Sequence, residues 1–360
     1  GKMIGFFCTY IPEEIYYAFD LVPVRILGSH EIQDLTKPHI FDMFCPFCRD
    51  ILAQGLKGEY DYLDGITIAQ SCLHLRHSFT SWELHKNPGW SYFLPMPNHV
   101  QSQRAVPFLI SEYELLVKKL QDMTGKQITD SDLEKGIELM NKVRRIMKDI
   151  YEFRKNDLPP ISGLESMYMC CSQFFVDARE WLIVAEEAQK EIETRNLSQD
   201  PGKRLMLIGS ESDDREFINM VEQLGDNGTV GATIVVEESC LTTRYFWDQT
   251  EEKTNDPLQA IAERYVSRIP CPAKDWPQRT RLTHILSLAK EFNVDGVLIL
   301  QQKYCDPHEA DIPFVKQTLE ANKVPVYLLE LDETTPVAPL SIRVEAFLET
   351  LETNTDLFDQ

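Results

Sequence analysis

Short apolar runs bounded by charge or proline recur through the first third of the chain, at MIGFF, LVPVRIL, GITIAQ and WSYFLPMP, with helix-period stretches between them. Such runs predict strands, and their alternation with helices is the order of a parallel sheet. From about Ser111 to Arg195 the period becomes that of amphipathic helices, as in ISEYELLVKKLQDMTG and DSDLEKGIELMNKVRRIMKDIYEFRK, with Pro159 and Pro160 as a break. A second alternation starts at RLMLIGS and continues through GATIVVEE, VDGVLILQQ and VPVYLLELD, with a helix-like stretch from Pro257 to Arg268. The pattern predicts an α/β fold of two Rossmann-like, doubly wound parallel-sheet halves, residues 1–110 and 201–360, joined by a helical segment over 111–200. A length of 360 residues agrees, since it exceeds what one core usually organises.

The halves share an internal echo. YLDGITIAQSCLHLRH and NVDGVLILQQKYCDPH each run Asp-Gly, apolar strand, then a cysteine, Cys72 in the first and Cys305 in the second. A duplication of this kind sets equivalent strand ends face to face.

Composition narrows the function. The formal charge of −21 argues against a nucleic-acid groove, which needs clustered Lys and Arg. No apolar run approaches the roughly 20 residues that span a bilayer, and no basic region with a cleavable apolar segment opens the chain, so a cytoplasmic location is expected. Nine cysteines, an odd number scattered without a secretory signal, favour metal or redox use over disulfides.

Cys72 and Cys305 follow strands directly and Cys240 follows GATIVVEE closely, which places all three at the carboxyl edge where open α/β sheets bind ligands. Cys45 and Cys48 form Cys-Pro-Phe-Cys at the start of a helix, and Cys271 lies in a rigid Pro-Cys-Pro loop. Any one of these alone reads as an inert buried thiol. As a set at strand ends and helix starts, where helix dipoles stabilise thiolates, they read as one site. Cys8, Cys170 and Cys171 read as packing residues. His74, with His77 and Arg76 beside it, and His308 are candidates for proton delivery; Asp306 reads as a helix cap. Glu13 and Glu14 fit the start of a helix, Arg25 reads as either an anion contact or a surface charge, TRYFWD as a pocket wall or core, and Ser210 or Ser212 as a cap within GSESDDREF.

The segments TYIPEE, LVPVRILG, CPFCRD, GEYDYLDG, SCLHLRH, KQITDSDL, DLPPISG, TRYFWD and KYCDPH, in that order from Gly5 to about Leu351, resemble the 2-hydroxyacyl-CoA dehydratase and ATP-dependent benzoyl-CoA reductase family. The resemblance implies an enzyme subunit in which Cys45, Cys72 and Cys305 hold a four-iron four-sulfur (4Fe-4S) cluster between two Rossmann-like halves. It further implies low-potential, one-electron chemistry on an acyl-CoA thioester and a homodimeric, ATP-dependent iron–sulfur activator. A related subunit, identical or different, would complete a homodimer or heterodimer. ATP chemistry within this chain is not expected, since it has no GxxxxGK[ST].

Cys48, Cys240 and Cys271 exceed that three-cysteine pattern, and the last two resemble positions of the family's double-cubane branch, in which six cysteines hold an 8Fe-9S cluster for the reduction of small molecules. The remaining rival is a zinc-binding or structural α/β protein without enzymatic activity.

Overall fold

The computed structural model describes residues 1–31, 34–195, 201–227, 231–332 and 337–356. It contains two four-stranded, all-parallel sheets flanked by helices. The first is built from β1 (Met3–Phe6), β2 (Val22–Arg25), β3 (Gly65–Ala69) and β4 (Ser91–Leu94), in the order β2-β1-β3-β4. The second, β6-β5-β7-β8, repeats that order with β5 (Lys203–Gly209), β6 (Ala232–Glu238), β7 (Gly296–Gln302) and β8 (Val326–Leu331). Every residue of β3 is buried, as expected for a central strand covered on both faces, whereas edge strand β8 is partly exposed.

The Asp-Gly echo has a structural cause. The Asp64 carboxylate accepts the backbone N–H of Met3 (2.8 Å), and Asp295 accepts that of Arg204 (2.7 Å), so each aspartate ties the start of a central strand to its neighbour. The glycine that follows is set by crowding: a Cβ on Gly65 would lie 2.7 Å from the Trp90 carbonyl oxygen. In both sheets the chain reverses direction of winding between the first and third strands, and the loops after those strands open a crevice. Cys72 and Cys305 leave β3 and β7, the equivalent third strands.

Four helices, Ala105–Thr124, Asp130–Phe153, Gly163–Ser172 and Ala178–Thr194, lie between the sheets in sequence. Two open with capping boxes, Thr129 with Asp132 and Ser162 with Glu165, each satisfying N–H groups that the first turn leaves free. Buried ion pairs fasten these helices to both halves: Arg144 to Glu14 (2.6 Å) and Arg154 to Glu237 (2.7 Å). One continuous apolar core runs through both sheets and the helices. Among the described residues no helix is long and apolar enough to cross a membrane.

Candidate functional site

Three helices begin at a cysteine. Cys45 is the N-cap of Pro46–Lys57, Cys72 of Leu73–Lys86 and Cys305 of Asp306–Ala321; none makes a conventional side-chain cap bond, but the backbone N–H groups of Cys48, Leu75 and His308 face the three sulfurs and favour their thiolate forms. Ser, Thr, Asn and Asp are the usual caps because their oxygens accept those N–H groups. A cysteine in their place takes up that N–H more weakly and leaves sulfur at the positive end of the helix dipole. Pro46 and Pro307 follow at first-turn positions, where proline loses no hydrogen bond.

The loops after β1, β3, β5, β6 and β7 meet at one cavity, with about 640 Å³ of unfilled space counting its mouth. All six cysteines singled out in the sequence line it: Cys45, Cys48, Cys72, Cys240, Cys271 and Cys305. Cys8, read as a packing residue, lines it too, because the loop after β1 faces the same crevice; Cys170 lies elsewhere, buried against the Tyr151 hydroxyl at 3.5 Å. Among the described residues no three His, Cys, Asp or Glu side chains converge as the ligands of a single metal ion do.

The acidities of the cavity cysteines differ. The Cys48 thiol donates a hydrogen bond to Cys45 and, with His74, brings the Cys45 pKa down to about 6 against the effect of burial. Burial, followed by the neighbouring sulfur, pushes Cys48 up. Burial likewise raises Cys72, Cys240, Cys271 and Cys305. Cys45 is thus the sulfur favoured as thiolate, while burial favours the thiol form of Cys48, Cys72, Cys240, Cys271 and Cys305.

His308 also lines the cavity, and its Nε2 lies 3.3 Å from Arg244 Nη1. A guanidinium only donates, so Nε2 accepts and the ring proton sits on Nδ1. Burial, with Arg244 and Arg281 nearby, keeps this histidine neutral. His74 stands behind the wall: its Nδ1 accepts the Cys45 backbone N–H (3.2 Å) and its Nε2 is 3.7 Å from Asp306. That pair joins the two halves. Asp306 makes no cap bond and is the first residue of its helix, since Cys305 holds the cap position.

Other expectations change as well. Arg25 is fully buried and ion-paired with Glu211 of the second half, so it is neither a surface charge nor free for a phosphate. Glu211 lines the cavity, and burial lifts its pKa to about 7 against the pull of Arg25. In TRYFWD, Tyr245 and Phe246 are core residues while Arg244 reaches the cavity. The helix Arg215–Gln223 is capped by Asp214, which accepts the Phe217 N–H at 3.0 Å, in place of either serine. Sequence reading missed Cys8, Glu211 and Arg268 in the wall; for Cys8 a signal existed, since it follows β1 at a switch-point strand.

Comparison with known proteins identifies the family. The family model for "2-hydroxyglutaryl-CoA dehydratase, D-component" matches residues 8–351. The chain is 27% identical over 351 residues to the (R)-phenyllactyl-CoA dehydratase beta subunit of Clostridium sporogenes, covering 97% of this chain and 92% of that one. It is 24% identical over 361 residues to the (R)-2-hydroxyglutaryl-CoA dehydratase beta subunit of Acidaminococcus fermentans, with the same 97% and 92% coverage. A benzoyl-CoA reductase subunit of Thauera aromatica is 20% identical over 337 residues, covering 90% of this chain and 84% of that one. This chain therefore belongs to the 2-hydroxyglutaryl-CoA dehydratase D-component family, among acyl-CoA dehydratase and reductase subunits.

Proposed function

We propose that this chain is the iron–sulfur subunit of an ATP-activated dehydratase or reductase acting on an acyl-CoA thioester, with Cys45, Cys72 and Cys305 holding a four-iron four-sulfur cluster. The observation that carries the reading is the convergence of helix-capping cysteines from both halves on one cavity. The donor set fits such a group. Cysteine sulfurs from both halves lining one cavity are the donor type that iron–sulfur clusters take. When bound, an iron–sulfur cluster with three protein ligands supplies low-potential electrons and an iron open to a substrate oxygen.

The residues around it have definable tasks. Cys45 offers a thiolate at neutral pH, while the higher pKa values of Cys72 and Cys305 mean that loading releases protons. His74 fixes the backbone at Cys45, and His308, neutral with its proton on Nδ1, is the candidate proton carrier at the wall. Lacking a phosphate-binding loop of its own, the chain takes its electrons from a separate ATP-dependent, homodimeric iron–sulfur activator, and it works beside an identical or related subunit in the cytoplasm.

A second reading is favoured by one observation: Cys48, Cys240 and Cys271 line the same cavity. Six cysteines suit a double-cubane 8Fe-9S cluster in a homodimer that reduces small molecules. Iron and acid-labile sulfide measured on anaerobically purified protein separate the readings. About four irons per chain support the first and about eight the second, whereas zinc without sulfide refutes both.

A further inference from the structure

Two buried cations beside the cysteine cavity form no ion pair among the described residues. Arg268 lines the cavity, is buried, donates to the Thr9 carbonyl (2.7 Å) and hydroxyl (3.2 Å), and lies over the Tyr10 ring at 4.2 Å. Lys274 is fully buried near the same ring, 5.7 Å from its centroid, and among the described residues donates only to the Pro97 carbonyl at 3.0 Å. Neither is ion-paired among the described residues, in contrast with Arg25, Arg144, Arg154 and Arg281, each held by a carboxylate. A buried cation without a counter-charge is costly, and an ammonium has three donors where Lys274 fills one. Burial lowers the Lys274 pKa, and the groups that oppose it are the sulfurs of Cys271, Cys8 and Cys72.

We infer that Arg268 and Lys274 are the counter-charges of an anionic group held by the cavity thiolates, and that they set its reduction potential. The inference rests on the iron–sulfur reading. Both act as positioning residues, through the field they impose, and neither needs to touch substrate. A fixed positive charge beside the cluster favours the more negative, reduced state.

Lys274→Met keeps the length of the stem and removes the charge. In anaerobic full-length protein with wild-type iron content, the reduced-to-oxidised ratio at a fixed ambient potential should fall about tenfold, which is 59 mV for a one-electron couple. Arg268→Gln should lower it similarly, and Arg268→Lys should stay near the wild-type value. In metal-free protein the same Lys274→Met change should raise the melting temperature, because it removes an uncompensated buried charge. A purely structural lysine would do the opposite. An unchanged ratio in both neutralised variants, or a lower metal-free melting temperature for Lys274→Met, overturns the inference. Wild-type protein that takes up no iron overturns the reading beneath it, and the metal-free comparison then decides the charge alone.

Discussion

Glu14 ties the three parts of the chain together, and removing its counter-ion should be costly. Its Oε1 accepts from Arg144 Nη2 (2.6 Å) and the Thr250 hydroxyl (3.1 Å), and its Oε2 accepts from the Tyr265 hydroxyl (3.1 Å). Both members of the ion pair are fully buried. Burial alone would raise the Glu14 pKa; the charges of Arg144 and Arg264 outweigh it and hold the carboxyl below its usual value. Arg144→Met strips away the main attraction and leaves a carboxylate in the core, which costs about 3–5 kcal/mol. For a chain of this size that is a fall in melting temperature of about 4–7 °C. The double variant Arg144→Met, Glu14→Gln should lose much less than the sum of the single changes, with a coupling of at least about 2 kcal/mol. The pH dependence carries a definite sign. A carboxyl with a depressed folded pKa adds stability above its unfolded pKa and loses it as pH falls through the folded value, so the gap between wild type and Arg144→Met should narrow in acid. Urea unfolding of metal-free protein near pH 8 and near pH 4.5 measures both effects. A cost below about 1 kcal/mol for Arg144→Met, or additive single changes, would refute the reasoning.

Gly136→Ala is expected to destabilise despite the better helix propensity of alanine, because its Cβ would lie 2.2 Å from the Glu14 carbonyl oxygen; an overpacking cost of about 1–3 kcal/mol should appear in urea unfolding. Burial lifts Glu13 to a pKa of about 7, with the Tyr245 hydroxyl at 2.5 Å opposing. Its contribution is therefore complete below the unfolded pKa near 4.5 and lost as pH rises through 7, and Glu13→Gln should flatten that slope in stability measured from pH 4 to 8, by on the order of 3 kcal/mol. Cys170→Ala, far from the cavity, should leave the iron content of anaerobically purified protein unchanged, which iron assay checks.

What could be read from the sequence were the features that local spacing encodes. Apolar runs of strand length predicted the parallel sheets, and the Asp-Gly echo located the equivalent strands β3 and β7. The same segments placed Cys72 and Cys305 at the carboxyl ends of those strands. Pairings between distant residues were not legible. Arg25 and Glu211 are 186 residues apart, and nothing near either one signals the partner. Glu13 and Glu14 satisfied a rule for helix starts so well that their burial between distant helices went unseen. Asp306 shows the opposite error: it looked like a cap because aspartate usually is one, while the cap position belonged to the preceding cysteine.

The central claim is that cysteines from both halves hold one iron–sulfur cluster, and Cys305→Ala tests it most directly. Iron and acid-labile sulfide should be measured in wild-type and Cys305→Ala proteins purified side by side without oxygen. The variant should fold, as judged by circular dichroism, and should lose the cluster held with Cys45 and Cys72. Folded Cys305→Ala protein with undiminished iron and sulfide would contradict the account.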